Sequence, residues 1–531
     1  MRLPIAIGLI FCTLVIRTSA QWRFSGDSTP TWEHVIERYA EFDRTRSGTT
    51  LVEIGQDDDG SPIHLFVLSD GSGSTPDSIR ASGKNILWIT NGIHPGEPDG
   101  IDASLLLAQA LLDSDQYMGL LANNALCIVP VYNVSGARQR NSTSRVNQDG
   151  PAEYGFRGNA RNLDLNRDFI KADSRNTRSL IKALNEWDPD VYFETHVSNG
   201  ADHQYVMELL VTHPDKLDSN LRRFMHHRLM PRQQEWMEQR GHFMCPYFET
   251  LHHIPEQGLT GFVDGPRYST GYNALRQRIG VLSESHMLKP YADRVNATFE
   301  LMLATLAAMN EHAQELQVAR GRAKASACEQ MMYASDWSID TTAVAALPWK
   351  GYMADTTTSA VSGLPRWRYH RDRPTTVQVP WMNTATGPDR KTRGLLDPEG
   401  LARGDRSAEP RWRALVSDRQ EHALRGGGTA PGGLRYGEEP ARRPLPPPRY
   451  PHHDRGRYRG GKGRGCPGAH GQPDRWAGDG DLGAAVRRQL LRLGFLRCHP
   501  ATEGMVQRLR VRGTGGGSVE EGPGIAGRIA G

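Results

Sequence analysis

The chemistry in this chain is most visible where His94 and Glu97 stand three apart in Asn91-Gly92-Ile93-His94-Pro95-Gly96-Glu97. Far downstream, His196 closes the run Val191-Tyr192-Phe193-Glu194-Thr195-His196, and Glu284 closes Arg278-Ile279-Gly280-Val281-Leu282-Ser283-Glu284. Two imidazoles and one carboxylate give a Zn²⁺ ion three ligands and leave the fourth tetrahedral position to water, the make-up of a catalytic site rather than a structural one. A further carboxylate can take a proton from that water and pass it on. The chain has 19 His, and a lone His after an apolar run is more often a loop residue than a ligand. Order, spacing and strand context together point to the metal. No zinc-finger pairing of cysteines competes with it.

These residues need elements to bring them together. Asn85-Ile86-Leu87-Trp88-Ile89-Thr90 is a short apolar run rich in strand formers, so His94 and Glu97 follow a buried strand. The runs ending at His196 and Glu284 have the same character, and Asp188-Pro189-Asp190 reads as a turn before the first of them. In open α/β sheets ligands bind outside the carboxyl ends of the strands, so groups at three such ends can converge on one edge of one sheet. Ala125 to Tyr132 reads as another central strand. Thr31 is an N-cap candidate for a helix carrying Trp32, Val35, Ile36, Tyr39 and Phe42, Ala103 to Leu112 reads as a buried helix, and the pattern from Tyr291 to Leu316 as one long closing helix. Strands alternating with helices predict a three-layer α/β/α domain.

Between the two halves of the metal pattern lies Gly155-Phe156-Arg157-Gly158-Asn159-Ala160-Arg161-Asn162-Leu163-Asp164-Leu165-Asn166-Arg167-Asp168-Phe169. Guanidinium forks match carboxylates bidentately, so this arginine-rich stretch implies a substrate that carries a carboxylate. The plainer alternative is a set of solvated pairs with Asp164, Asp168 and Asp173.

The order and spacing of His94-x-x-Glu97, Leu163-Asp164-Leu165-Asn166-Arg167, His196 and Glu284 resemble the zinc carboxypeptidase (metallocarboxypeptidase) family, in a secreted bacterial-type form, over roughly residues 28 to 312. The resemblance implies a domain with a mixed central sheet and one Zn²⁺ per chain, held by His94, Glu97 and His196. It implies that Asn166 and Arg167 bind the C-terminal carboxylate of a peptide or protein substrate, that Arg157 polarises the scissile carbonyl, and that Glu284 is the general base and acid. Family members also close a tyrosine over the substrate. Gly265-Pro266-Arg267-Tyr268-Ser269-Thr270-Gly271-Tyr272 offers two candidates, of which Tyr268 is preferred, and leaves the C-terminal side-chain preference open.

Outside that region the chain divides by composition. Residues 1–20 read as a signal peptide: Arg2, an apolar core from Leu3 to Ile16 too short to span a bilayer, and Thr18-Ser19-Ala20 as a cleavage site. Residues 21–320 form the expected catalytic domain and 321–390 a small β-rich appendage, suggested by Leu364 to His370 and Thr376 to Trp381. The last 141 residues hold 24 Arg, 29 Gly and 13 Pro against two Lys, one Phe and two Ile. Such a segment, 391–531, cannot bury enough apolar surface to offset its ordering entropy. It could be a basic arm or a tether, but twelve arginines to each lysine in a Gly, Pro and Ala background favour a frame-shifted translation of a GC-rich gene.

The tail supplies much of the arginine behind the net charge of +4, residues 21 to 320 are mixed in sign, and the charge carries no nucleic-acid inference. No later stretch is long and apolar enough for a membrane span, so the expectation is a secreted or periplasmic protein of open oligomeric state. Of six cysteines, Cys12 lies in the signal. Cys127, Cys245, Cys328, Cys466 and Cys498 are an odd, irregular set and no disulfide framework, although one bridge such as Cys245 with Cys328 is permitted. Cys127, inside a strand, reads as a core residue.

Two other functions compete. A zinc amide hydrolase acting on N-acyl amino acids would use a similar metal set, but that branch generally lacks this long domain, the export signal and the extended Gly155 to Asp168 run. A catalytically dead binder of C-terminal peptides would have no need of Glu284.

Overall fold

The computed structural model describes residues 22–329, 332–334, 337–386 and 391–393, all within one compact unit. The expected signal peptide and nearly all of the tail lie outside the described residues.

An eight-stranded mixed sheet organises the chain. Its strands are β1 Thr49–Gln56, β2 Pro62–Leu68, β3 Asn85–Thr90, β4 Asn124–Val129, β5 Val191–Ser198, β6 Met207–Val211, β7 Met244–Pro246 and, later in the chain after the short β8 Phe248–Thr250 and β9 Leu259–Gly261, β10 Ile279–His286. The order across the sheet is β1-β2-β4-β3-β5-β10-β6-β7. The four central strands β4, β3, β5 and β10 are parallel, while β1, β2 and β6 pair antiparallel with neighbours.

The central strands read as unbroken apolar runs because both faces are covered. Along β3, Leu87 and Ile89 enter one core, with Tyr39 and Phe42 of the Trp32–Thr45 helix, Leu107 of the Asp99–Asp113 helix and Leu303 of the Tyr291–Glu311 helix. Ile86 and Trp88 enter the other, with Leu180 and Leu184 of the Arg175–Trp187 helix and Ile79 of the Pro76–Ala81 helix. Two cores on opposite faces of one sheet make the α/β/α layering, and the strand period of two assigns each residue to its side.

Thr31 caps the first helix by accepting from the His34 amide, as its position predicts. The closing helix is not continuous. One helix runs Tyr291–Glu311 and a second Ala313–Glu329, with His312 between them at φ −120°, ψ 32°, outside the helical basin.

Beyond residue 330, the described backbone includes a long antiparallel hairpin, β12 Trp337–Thr358 with β13 Pro365–Thr386, and a two-stranded pair of β11 Met332–Ala334 with β14 Lys391–Arg393. β13 pairs with β9, and β9 with β8, so the hairpin extends a four-stranded sheet begun by residues 248–261. Trp349 and Val379 of the hairpin share a small core with Tyr205, Cys245 and Leu259. Cys127 and Cys245 are buried free thiols.

Candidate active site

The site forms where β3, β5 and β10 end. After β3, Gly92 adopts φ +64°, a left-handed turn that suits glycine, and the Glu97 amide donates to the His94 carbonyl to close a tight loop. The following helix starts hard against β5. A Cβ on Gly100 would stand 1.9 Å from Thr195 Oγ1, so only glycine lets the His94 loop sit this close to the strand that carries His196. Asn91 ties the two together: its amide nitrogen donates to Ser104 Oγ at 2.9 Å, and its oxygen accepts from the Thr195 hydroxyl at 3.1 Å.

His94, Glu97 and His196 meet there, all buried, with ligand atoms within 4.8 Å of one another. His94 Nδ1 lies 3.1 Å from His196 Nδ1 and 3.4 Å from Glu97 Oε1, and His196 Nδ1 is 3.0 Å from Glu97 Oε2. The far nitrogens are also engaged. His94 Nε2 is 2.9 Å from Asp164 Oδ1, and His196 Nε2 is 3.1 Å from Glu194 Oε2. A carboxylate on the outer nitrogen can hold the ring proton there, which would leave each Nδ1 as the donor to a bound metal.

The carboxylates at this point are held ionised by the cations around them. Burial alone would lower the His196 imidazole, but hydrogen bonds to Glu194 and Glu97 outweigh it and push it up to about 10. Burial would raise Glu97, yet the Arg145 guanidinium and His94 hold its carboxyl well below the usual range. Burial acts against Asp164 in the same way, and Arg157 with His94 overcomes it. Carboxylates kept ionised around two imidazoles form a donor set suited to a divalent metal of the zinc class.

Glu284 occupies the register position directly beside His196, since β10 and β5 pair in parallel with Glu284 opposite His196. Burial pushes its carboxyl up to about 8, the His196 charge opposes this, and Glu97 and Glu208 add to it.

The arginine-rich segment reaches the same place. Arg157 donates to Asp164 Oδ2 through Nη2 at 2.9 Å and through Nε at 3.1 Å, with Nη1 3.3 Å from Glu97 Oε1. Arg157 thus pairs with Asp164, as the plainer alternative has it, but the pair is part-buried against His94 and Glu97 and not solvated. Asp168 is buried and accepts from the Asp173 amide and from the Ser174 amide and hydroxyl, a structural duty at the start of the next helix. The Asn166 amide lies 3.2 Å from His196 Nε2, and its oxygen accepts from the Ser269 amide at 3.1 Å. The Arg167 guanidinium stacks 4.3 Å above the Tyr268 ring, a cation–π contact that joins these two candidates.

Arg145, Asp164 and Glu194 contact the candidate ligands, and sequence reasoning did not assign them. Arg145 Nη1 donates to Glu97 Oε1 at 2.6 Å and Nη2 to the Val197 carbonyl at 2.8 Å. Glu194 was findable: two residues before His196 on one strand, it must share that residue's face. Asp164 lies in the quoted segment itself. Nothing local marks Arg145.

Residues 39–208 match the family model for zinc carboxypeptidases. Over that segment the chain is similar to zinc carboxypeptidases. Over 174 residues it is 25% identical to Carboxypeptidase 2 of Trichophyton rubrum, a match that spans 32% of this chain and 29% of that protein. The chain thus matches less than a third of its curated relative's length. Similar solved structures include a metallo-carboxypeptidase from Burkholderia cenocepacia (17% identity, 53% of this chain and 69% of that one, TM-score 0.38). Another is a metallo-carboxypeptidase from Pseudomonas aeruginosa in complex with (2-guanidinoethylmercapto)succinic acid (18% identity, 54% and 68%, TM-score 0.38). The matched family segment contains His94, Glu97, Arg157, Asn166, Arg167 and His196, while Glu284 and Tyr268 lie beyond it.

Proposed function

We propose that this chain is a zinc carboxypeptidase that hydrolyses the last peptide bond of peptides or proteins that carry a free C-terminal carboxylate. The observation that carries the reading is the convergence of His94, Glu97 and His196 with Glu284 on the neighbouring strand and Asn166–Arg167 at the same sheet edge. Zn²⁺ held by the two histidines and Glu97 would lower the pKa of a bound water towards 7 and polarise the scissile carbonyl. Glu284 takes the proton on its carboxylate and delivers it to the leaving amine. Arg157, beside Glu97, steadies the oxyanion. Asn166 and Arg167 hold the substrate carboxylate, with Tyr268 packed on Arg167, and this clamp restricts cleavage to the chain end by positioning.

The sequence pattern of residues 1–20 supports export, with the catalytic domain expected at 21–320 running on through the Ala313–Glu329 helix and the β-rich segment attached after it. Among the described residues no helix is long and apolar enough to cross a membrane.

The test uses the purified, zinc-loaded full chain on paired blocked dipeptides, free and amidated at the C-terminus, with N-acetyl and N-succinyl amino acids as the competing class. Release of the last residue only from the free-carboxylate peptides supports the reading. Arg167→Ala should raise KM for those substrates selectively. Preferred hydrolysis of N-acyl amino acids, or indifference to amidation, overturns it.

A further inference from the structure

A second group of the same composition lies one strand further along the sheet. His203, Glu208 on β6 and His286 at the end of β10 are buried together, with ligand atoms within 4.8 Å of one another. His203 Nε2 stands 3.2 Å and His286 Nδ1 3.3 Å from the same oxygen, Glu208 Oε1, and the two rings stack at 4.1 Å between centroids. We propose that His203, Glu208 and His286 form a second divalent-cation site of the zinc class, separate from the one at His94, Glu97 and His196.

Ligand spacing is the first argument. In a tetrahedral site with bonds of about 2.0–2.1 Å, neighbouring ligand atoms are about 3.3–3.4 Å apart. Both measured edges fall next to that value. As a hydrogen-bond network the group is poorly built. The Ser198 hydroxyl already donates to Glu208 Oε1 at 2.6 Å, so two further N–H groups would crowd an oxygen with two lone pairs. The ring nitrogens that face away, His203 Nδ1 and His286 Nε2, are buried without a partner among the described residues, orphaned atoms that a hydrogen-bonding role for the group leaves unexplained. A nucleophilic triad is excluded because Ser198 and Glu208 approach the same nitrogen of His286, at 3.2 and 3.3 Å, where a relay needs opposite ones.

The site would be structural. Glu208 pairs across from Glu284, which in turn pairs with His196, so the two centres lie two strand spacings, roughly 10 Å, apart. That is too far for a bridged metal pair, which needs about 3.5–4 Å. Trp349 from the β12–β13 hairpin packs 5.3 Å from the His203 ring, and Phe248 5.8 Å, so the hairpin closes the site over. Outer carboxylates of the kind that Asp164 and Glu194 supply to the first site are missing here among the described residues, which makes the second cation the weaker-held of the two.

The experiment is a zinc titration of the chelator-stripped full chain, with metal content read by plasma mass spectrometry after gel filtration. Wild type should reach two equivalents, one of them lost first to a competing chelator. His94→Ala should retain one equivalent, Glu208→Gln and His203→Asn should each lose one, and zinc should still raise the melting temperature of His94→Ala protein. An equivalent that survives His94→Ala and disappears in Glu208→Gln supports the second site even if the first proves empty. Saturation of wild type at one equivalent that vanishes with His94→Ala, or a zinc-independent melting temperature in that variant, overturns the proposal. Reading the melting shift in His94→Ala keeps the result independent of whether the Glu208 variant folds.

Discussion

Glu284 and His196 are register partners in the parallel β5–β10 pair, one strand spacing apart at the edge where the metal donors gather. A carboxylate fixed on a strand beside a ligand has little freedom to move away, which suits proton transfer at one point. Glu284→Gln keeps the shape and removes the exchangeable proton. Turnover should fall by about 10²–10⁴-fold, the usual worth of general acid–base catalysis, while zinc content stays at the wild-type level. Near-normal turnover in a fully metallated variant would remove Glu284 from the mechanism.

Asp164 should matter to the metal without touching it. Its Oδ1 lies 2.9 Å from His94 Nε2 and can hold the ring proton there, which would leave Nδ1 to the metal. Asp164→Asn presents an uncertain amide in place of an acceptor, and removes the carboxylate to which Arg157 donates through Nε and Nη2. Zinc affinity, measured by competition with a chromophoric chelator, should weaken by about 10–100-fold. An unchanged dissociation constant would show that the His94 tautomer is set by something else.

Much of this arrangement was legible because the central strands are buried on both faces. β3 begins and ends where its apolar run does, and His196 and Glu284 fall near the ends of β5 and β10 as the runs predict. What was not legible depends on partners from remote segments. Glu208 interrupts an apolar strand, a local oddity, but its partners His203 and His286 come from a loop and from another strand. The break at His312 escaped because the apolar pattern continues into the next helix, where Leu316 and Ala319 are also buried. Asp188 was read only as part of a turn, while its chemistry comes from residues 278 to 324.

Asp102 should give the fold a pH dependence that a single substitution erases. Burial pushes its carboxyl up to about 7, against hydrogen bonds from the hydroxyls of Thr29 and Tyr291, each 2.6 Å away, and with help from the charge of Asp99. In the unfolded chain an aspartate titrates near 4. The folded state therefore binds the proton more tightly, so this contribution is complete below about pH 4, fades as pH rises towards 7, and is gone above it. Each tenfold gain in proton affinity on folding corresponds to about 1.4 kcal/mol, which bounds the contribution at a few kcal/mol in all. Asp102→Asn can accept the same hydroxyl bonds and does not titrate. Urea unfolding from pH 4 to 8 should show wild type losing stability relative to the variant as pH rises, and parallel curves would refute the assignment.

Asp188 fastens the Ala313–Glu329 helix to the sheet. It ends the Arg175–Trp187 helix in the left-handed region at φ 45°, and its Oδ1 pairs with Arg278 at 3.1 Å and Arg320 at 2.9 Å, while Oδ2 pairs with Lys324. Burial would raise its carboxyl, but Arg320, Arg278 and Lys324 hold it well below the usual range. Both arginine side chains are only 2% exposed, so losing the shared anion strands two buried cations. Breaking a buried pair from one side typically costs about 3–5 kcal/mol. Asp188→Ala should lose stability on that scale in denaturant unfolding. Asp188→Asn, which tolerates the left-handed backbone and keeps an acceptor, should lose less. If the alanine variant unfolds within about 0.5 kcal/mol of wild type, Asp188 behaves as an ordinary surface position and the helix is held by its apolar face alone.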